Sequence, residues 1–527
     1  MLLKKWVPNY GAWRNEWDAI IELYNSYNVT GLNNAVDTEW KYTDCYFGGS
    51  FDIPTTQRLR LDKPYLRVDK DALCDLLTNH EMYDIIKYRH ISKSIGLNMH
   101  APSDSIVHDE FGSTIILAGD KDDDTCTVRC KLIVDCTGHE TSLILRDIRE
   151  PYRNPGYQIA YGVLVEVEDS THNNQSFGPY AKNAMTLFDY RTDHIPTSTD
   201  DNDNQLKSAI DSPTFMYAMP LSDTKIFFEE TSLVGRPAVS FEVCKKRCFQ
   251  RLEHLGIKVK NIEEEEYCYI PMGGPLPQRN QRIVGFGGGA VMVHPSTGYT
   301  LCRTLIAAGD VAKSIITNIK QDSSTSSLPN PDKIAAQAYH AIWSPSNIRQ
   351  RNFAVFGGEF LLKQNVIGVR GFFDGFFRLD TPTWHGFLAG WPGLPNNEKH
   401  ESWEARIYFG LLFVSKLPFK VAADLLSYIL LYSLQEGTAL MQSVTPIFGN
   451  PQSYEYKDLP KLFNIGDVAA KQEAMNMIRE SLVTKDIPVA FGATTKSLDS
   501  VDGEQEEEIT MSNAEQDVPD TPKEVIV

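Results

Sequence analysis

The stretch from Ile283 to Leu305 limits what this chain can fold into more than any other. A short apolar strand, Ile283-Val284, runs into glycines at Gly285, Gly287, Gly288 and Gly289. Without a Cβ, such positions let backbone approach something bulky, flat or phosphorylated. His294-Pro295 then imposes an extended approach; Ser296 or Thr297 offers a cap, and Gly298 frees the turn. From Tyr299 to Ile319 the apolar spacing (Leu301, Leu305, Ile306, Val311, Ile315, Ile316) predicts a helix. A helix N-terminus aimed out of a glycine loop suits an anion such as a cofactor phosphate. A turn that only packs a helix on a sheet has the same spacing, so spacing alone leaves both readings open.

The 527 residues, 42% hydrophobic and 23% charged, suffice for two closely linked domains. Of the formal charge of −18, the stretch Val501 to Val527 contributes nine acids against Lys523, or −8, leaving −10 elsewhere. A mildly acidic body argues against nucleic acid as a partner. The nine cysteines include no Cys-x-x-Cys pair, and Cys126/Cys130 and Cys244/Cys248 are four apart. They read as reduced thiols, and no metal site is expected. Met1-Leu-Leu-Lys-Lys-Trp6 has neither signal-peptide nor transit-peptide character.

Along the chain, Trp13, Trp17, Ile20, Ile21 and Tyr24 fall near helical spacing, and Asp69 is placed to cap a helix from Lys70 to Asn79. Strands are expected at Ile91–Met99, Ile106–Val107, Ser113–Ala118, Thr127–Val134 and Gly156–Val167. Phe215–Met219 and Lys225–Glu229 read as a strand pair, and Val243–Leu255 as a helix closed by Gly256. Asp200–Asn204 and Gln321–Pro331 read as loops, Lys121–Thr125 as a charged hairpin loop, and Glu263–Glu266 as a solvated acidic face. Residues 353–391 are rich in aromatics. Ile407–Val414 and Leu425–Leu431 are apolar runs too short to span a bilayer. They suit either helices lying in a lipid interface or a buried helical pair. After Asp486 periodicity is lost, and the acidic end reads as disordered.

At this point a family resemblance emerges. The glycine stretch, with Ile270-Pro-Met-Gly-Gly-Pro-Leu-Pro277 before it, resembles the plant and algal lycopene cyclases. The similarity includes Asn9-Tyr-Gly-Ala-Trp13, Lys63-Pro-Tyr-Leu-Arg-Val68, Val134-Asp-Cys-Thr-Gly138 and Asn154-Pro-Gly-Tyr-Gln-Ile-Ala-Tyr-Gly162. It continues through Pro213 to Pro220, Phe228-Glu-Glu-Thr-Ser232, Leu255 to Lys260, Arg349 to Phe353 and Phe372 to Phe377, as far as Trp384-His-Gly-Phe387. It spans roughly Trp6 to Val414.

The resemblance implies an α/β flavoprotein fold of the FAD-dependent hydroxylase type, with a mixed-sheet substrate domain and a helical C-terminal region. In numbers, 1–150 and 270–330 would share the FAD domain, 151–269 the substrate sheet, 331–485 a membrane-facing helical region and 486–527 a disordered tail. The family's opening strand, Gly-x-Gly-x-x-Gly turn and helix would lie ahead of Met1; the sequence in hand lacks that βαβ unit and any plastid-targeting peptide, and reads as N-terminally truncated. The implied reaction closes the linear ends of lycopene, or a related carotene, to β-rings without net redox change. It would use reduced FAD, kept reduced by NAD(P)H, on a plastid (chloroplast) membrane surface, with other carotenoid enzymes as partners. An ε-cyclase, a xanthophyll-rearranging relative or an inactive truncated product are the alternatives. Proton-driven cyclisation needs a carboxylic acid in a dry pocket. The resemblance assigns this to Glu229 first and Glu230 second, with Asp189 as a further acid or as an ion-pair partner of Arg191. For the cofactor it marks Arg67, Thr137, Gly138, Gly285, Gly287, Gly288, Gly289, Pro295 and Gly298.

Overall fold

A computed structural model describes residues 9–51, 58–78, 90–91, 106–118, 125–139, 141, 143–146, 155–168, 177–196, 200–279, 281–324, 330–435 and 438–451. The acidic tail, most of the Lys121–Thr125 loop and most of Ile91–Met99 lie outside these residues.

The molecule is organised by a seven-stranded mixed sheet in the order β15-β11-β14-β13-β12-β3-β4. Its strands are β3 (Tyr42–Tyr46), β4 (Leu59–Leu61), β11 (Gly156–Val167), β12 (Ala184–Asp189), β13 (Thr214–Pro220), β14 (Lys225–Ser232) and β15 (Val259–Met272). β11 is buried at every position except Glu166, because both faces of the sheet are covered. One face meets α4 (Phe241–His254) over Met216, Ala218, Phe228, Cys244 and Cys248. The other meets an aromatic core of Trp13, Tyr65, Phe188, Phe215, Phe227 and Phe373. Much of that core comes from α7 (Pro345–Leu361), α8 (Val366–Phe377), α9 (Thr381–Ala389), α11 (Trp403–Lys416), α12 (Phe419–Gln435) and α13 (Ala439–Val444), with the short α10 (Glu398–Glu401) between α9 and α11.

A second core holds the glycine stretch. β10 (Ile133–Asp135) pairs in parallel with β16 (Ile283–Gly285), Ile133 opposite Ile283. α5 (Leu301–Ser324) follows the turns and packs on α6 (Pro331–Ile342) and α1 (Arg14–Ser26), where the Tyr24 hydroxyl donates to the Leu305 carbonyl at 3.1 Å. β1 (Gly11–Trp13), β5 (Tyr65–Val68) and β2 (Val36–Trp40) form a small antiparallel sheet beside it. α2 (Lys70–Leu77) starts where expected, with Asp69 accepting from the backbone of Asp71 and Ala72. A separate antiparallel sheet contains β6 (His90–Ile91), β7 (Ile106–Asp109), β8 (Gly112–Ala118) and β9 (Thr125–Cys130).

Four sequence expectations need correction. Gln321–Pro331 is not a loop from its start, because α5 runs on to Ser324. Asp200–Asn204 is not a loop but the start of α3 (Asp200–Asp211), which Ala209 anchors to the interior and Arg247 ties down through Ser208 and Ser212. Thr127–Val134 is not one buried strand: β9 alternates between exposed and half-buried, and the chain changes sheet before β10. Glu263–Glu266 is not a solvated face, since it lies within β15 and Glu265 and Glu266 are 5% and 2% exposed.

What fastens α4 to the sheet is Arg251, fully buried. Its guanidinium donates to both carboxylate oxygens of Glu230, at 3.0 and 3.1 Å, and to the Arg191 carbonyl. Thr214 donates to Glu230 at 2.6 Å. Removing one partner of such a pair leaves a desolvated charge, at a cost of about 3–5 kcal/mol. Glu230→Ala is therefore expected to destabilise the fold by that amount in denaturant melts, with Glu230→Gln intermediate because it keeps an acceptor for Arg251.

Candidate active site

β14 carries Glu229 and Glu230 in succession, so pleating sends them to opposite faces. Glu230 faces α4. Glu229 faces the aromatic core, in a row fixed by strand register: Tyr217 on β13 is opposite Glu229, which is opposite Gly162 on β11, which is opposite Glu266 on β15. Gly162 matters because it puts no side chain between the two acids. A Cβ there would fall 2.7 Å from the Phe227 ring and 3.2 Å from the Glu266 Cβ. Across that gap one carboxylate oxygen of each glutamate and the Cys268 sulfur lie within 4.8 Å of one another.

The two acids are held unequally. Glu266 accepts from the Asn9 backbone at 3.0 Å, the Asn9 side chain at 2.7 Å and Cys268 at 2.8 Å. Glu229 accepts from the Thr231 hydroxyl at 2.6 Å. Burial, then the charge of Glu266, pushes the Glu229 carboxyl up to about 8, against the opposing Thr231 hydrogen bond. One side of Glu229 stays accessible even though protein atoms crowd round its carboxyl. Burial also raises Glu266, while Cys268, Asn9 and the charge of Lys70 pull it back; Lys70 itself pairs with Glu264 at 2.9 Å. Two carboxyls this close cannot both ionise at low cost. Glu266, with more donors around it, takes the charge and Glu229 keeps the proton near neutrality, the separation of roles that acid catalysis requires.

The chain matches the family model described as "Lycopene cyclase protein" over residues 4–398. The chain belongs to the lycopene cyclase family. It is 38% identical to a chloroplastic/chromoplastic lycopene beta cyclase of Capsicum annuum over 390 residues, 74% of this chain and 68% of that one. Identity is 37% to the chloroplastic lycopene beta cyclase of Arabidopsis thaliana, with the same coverage, and 36% to a neoxanthin synthase of Solanum lycopersicum, over 73% and 68%. A looser likeness to a geranylgeranyl bacteriochlorophyll reductase-like protein of Thermoplasma acidophilum, TM-score 0.48 at 10% identity over 79% and 88%, is too slight to bear on fold or activity.

In this lycopene cyclase family member the three acids marked by sequence do not share a site. Asp189 and Glu230 meet on the α4 face, both opposite Met216. Asp189 accepts from Arg191 at 2.9 and 2.6 Å and from Tyr180 at 3.0 Å. Burial pushes its carboxyl up, but Arg191 and then Arg251 more than reverse this and leave it lowered. Asp189 therefore retains no proton to give, and Glu230 is held by Arg251. Glu266, which the sequence reading passed over, is the acid that joins Glu229. Period-two alternation of Glu264, Glu266 and Cys268 was the signal available.

The glycines marked for the cofactor do assemble. Gly288 and Gly289 pack against the backbone of Gly138 and of Asp135–Gly138, so closely that a Cβ on Gly288 would lie 3.0 Å from the His139 nitrogen. Thr137 is fixed by Asp135, to which its backbone and hydroxyl donate at 2.8 and 2.7 Å. Gly138 adopts φ +104° with nothing within 4 Å of where a Cβ would stand, a cradle that fits a cofactor approaching backbone. The His294–Gly298 turn adjoins this region, and Gly298 abuts Gln158, on the same face of β11 as Gly162. That places the turn roughly 13 Å along the strand from the acid pair. Pro295 is packed under α7, where its carbonyl lies 2.5 Å from a Cβ built on Gly358. Arg67 is engaged elsewhere. On β5 it points away from Leu66 and Val68, which pack with Val284 and Ala290, and it pairs with Asp37 and Asn9. Its contact with Asn9 links it to Glu266, not to the glycine turns.

The raised Glu229 carboxyl has a thermodynamic consequence. Folded, it holds a proton that an unfolded glutamate, at its ordinary value of 4.5, has released, until pH passes about 8. Between those values the native state binds more protons than the unfolded, so stability falls as pH rises. The slope contributed reaches at most about 1.4 kcal/mol per pH unit. Melts of wild type and Glu229→Gln across this window are expected to show a shallower slope in the variant.

Proposed function

We propose that this chain is a lycopene β-cyclase whose proton donor is Glu229, working as half of a carboxyl pair with Glu266. The observation that carries the reading is the row Tyr217–Glu229–Gly162–Glu266, one protonated acid beside one charged acid on a face walled by aromatics. Glu229 gives its proton to the terminal double bond of a linear carotene end. The cation formed is attacked by a second double bond of the same chain, closing a six-membered ring and moving the positive charge into it. Loss of a ring proton restores a double bond, and on this reading the Glu229 carboxylate takes that proton back. Atoms and electrons balance within the substrate, so there is no net redox change.

Glu266 keeps negative charge near the cation throughout, and Phe215, Phe227 and Tyr217, on the same face of the sheet, add the π-systems that stabilise a cation in an apolar site. The glycine turns at Gly138 and Gly285–Gly289, with Thr137, are the residues that would hold a flavin. A reduced flavin bound there supplies further negative charge, and NAD(P)H is the reductant this reading assigns. The plant relatives' names place them in chloroplasts or chromoplasts, and a plastid location is proposed for this chain.

The substrate is membrane-soluble, and the C-terminal helices offer a surface suited to lipid. Tyr408 and Leu411 on α11, Phe419 and Leu434 on α12, and Ile447 beyond α13 are 62%, 69%, 90%, 75% and 86% exposed. Lys416 and Lys420 sit at the junction of α11 and α12. Among the described residues no helix is long and apolar enough to cross a membrane. Helices of this kind lie in the interface with basic side chains at the headgroups.

Two outcomes test the reading. Glu229→Gln is expected to lower conversion of lycopene to a β-ringed product by about 10²–10⁴-fold with the fold retained. Glu266→Gln removes the neighbouring charge, lowers the Glu229 carboxyl and shifts the alkaline limb of the pH–rate profile downward. An ε-ringed or rearranged xanthophyll product on chromatography would overturn the ring assignment. Separately, Phe419→Asp with Leu434→Asp is expected to abolish co-flotation with anionic lipid vesicles while leaving the melting temperature unchanged.

A further inference from the structure

Behind the His294–Gly298 turn lies a cavity of about 10 Å³, room for one small occupant. Arg303 from the first turn of α5 lines it, with Gln350 and Arg351 from α7, His294 and His400, and no carboxylate is among the lining residues. Arg303 is 3% exposed, and its Nε and Nη1 are buried without a hydrogen-bond partner. Its contact among the described residues is the Trp391 ring, 5.0 Å from guanidinium to centroid. A buried guanidinium left in that condition is strongly unfavourable and calls for an ion or water to complete it.

The surroundings decide between the two. Arg351 donates to the Gly274 carbonyl and lies over Trp343, 5.9 Å from its centroid. Burial, then the charge of Arg351, pulls Arg303 down to about 9, so it remains cationic at neutral pH. Glu16 is the carboxylate whose charge reaches Arg303, and it does not line the cavity. His294 accepts from the Ser296 backbone at 3.3 Å. His400 is bonded through Nε2 to the Thr383 carbonyl at 2.8 Å, and burial lowers it to about 4. Its Nδ1 therefore presents one neutral lone pair against two guanidinium charges.

We propose that this cavity binds a small inorganic anion of about chloride's size, bridging Arg303 on α5 to Arg351 on α7. The anion clamps the turn that runs from His294 to Gly298 between those helices. This site is separate from the Glu229–Glu266 pair and does not depend on the cyclase reading.

The test uses the full chain at fixed ionic strength, with sodium chloride exchanged for sodium gluconate, whose anion is too large for the cavity. Chloride is expected to raise the melting temperature saturably, by roughly 1–4 °C, and to show excess chloride NMR line broadening that bromide competes away. Arg303→Met should lose both effects, while Glu229→Gln, on the sheet, should keep them. If Arg303→Met does not fold, the wild-type line broadening decides alone. Equal melting in the two salts without line broadening means that the cavity holds only water, and overturns the proposal. So does an Arg303→Met variant that folds and keeps the wild-type response.

Discussion

The arrangement turns on a like-charge contact that strand register enforces. Glu229 and Glu266 stand in one row on either side of Gly162, on a face packed with aromatic rings. The row is fixed by pairing that is unbroken between β14 and β11 and regular between β11 and β15 from Gly156 to Leu164, and a one-residue slip would send the carboxyls to the wrong face. The repulsion is relieved by keeping a proton, which converts an electrostatic cost into a stored acid. Asn9 and Cys268 then decide which carboxyl keeps it, by donating to Glu266, while Glu229, among the described residues, has Thr231 as its donor.

The opposite face of the same strands shows the contrary solution. There Glu230 and Asp189 are also buried, but Arg251 and Arg191 stand against them. Those carboxyls are neutralised by cations, and their role is to fasten α4 and the β12 end to the sheet. Two adjacent glutamates of one strand thus meet opposite electrostatic conditions. One side supplies a rigid support and the other a chargeable site, and the support holds the register on which the site depends.

Much of this was legible in the sequence where a pattern is local. The twelve residues of β11, the Asp69 cap and the Gly256 helix end all follow from neighbours in the chain. That Glu229 and Glu230 diverge follows from pleating alone. Which of them meets a cation does not, because Arg251 is 21 residues away in sequence and reaches Glu230 only after α4 folds back. Glu266 was missed for the same reason. Four consecutive glutamates look like a solvated face until β15 is known to pair with β11 and to lie under Asn9 and α2. Asp200–Asn204 looked like a loop because its polar residues carry no apolar period, yet the segment opens a helix that Arg247 holds. Arg67 could not be placed from its own stretch either, because its partners Asp37 and Asn9 come from other segments of the chain.

The protonation state of the pair at neutral pH tests the central claim most directly. Infrared difference spectroscopy of the folded chain, comparing wild type with Glu229→Gln, reads the carbonyl stretch of a protonated carboxylic acid. A band present at pH 7, fading as pH rises through about 8 and missing from the variant, is the expected result. A wild-type spectrum with no protonated carboxyl at pH 7, or a band that survives in Glu229→Gln unchanged, contradicts the assignment of Glu229 as the stored acid.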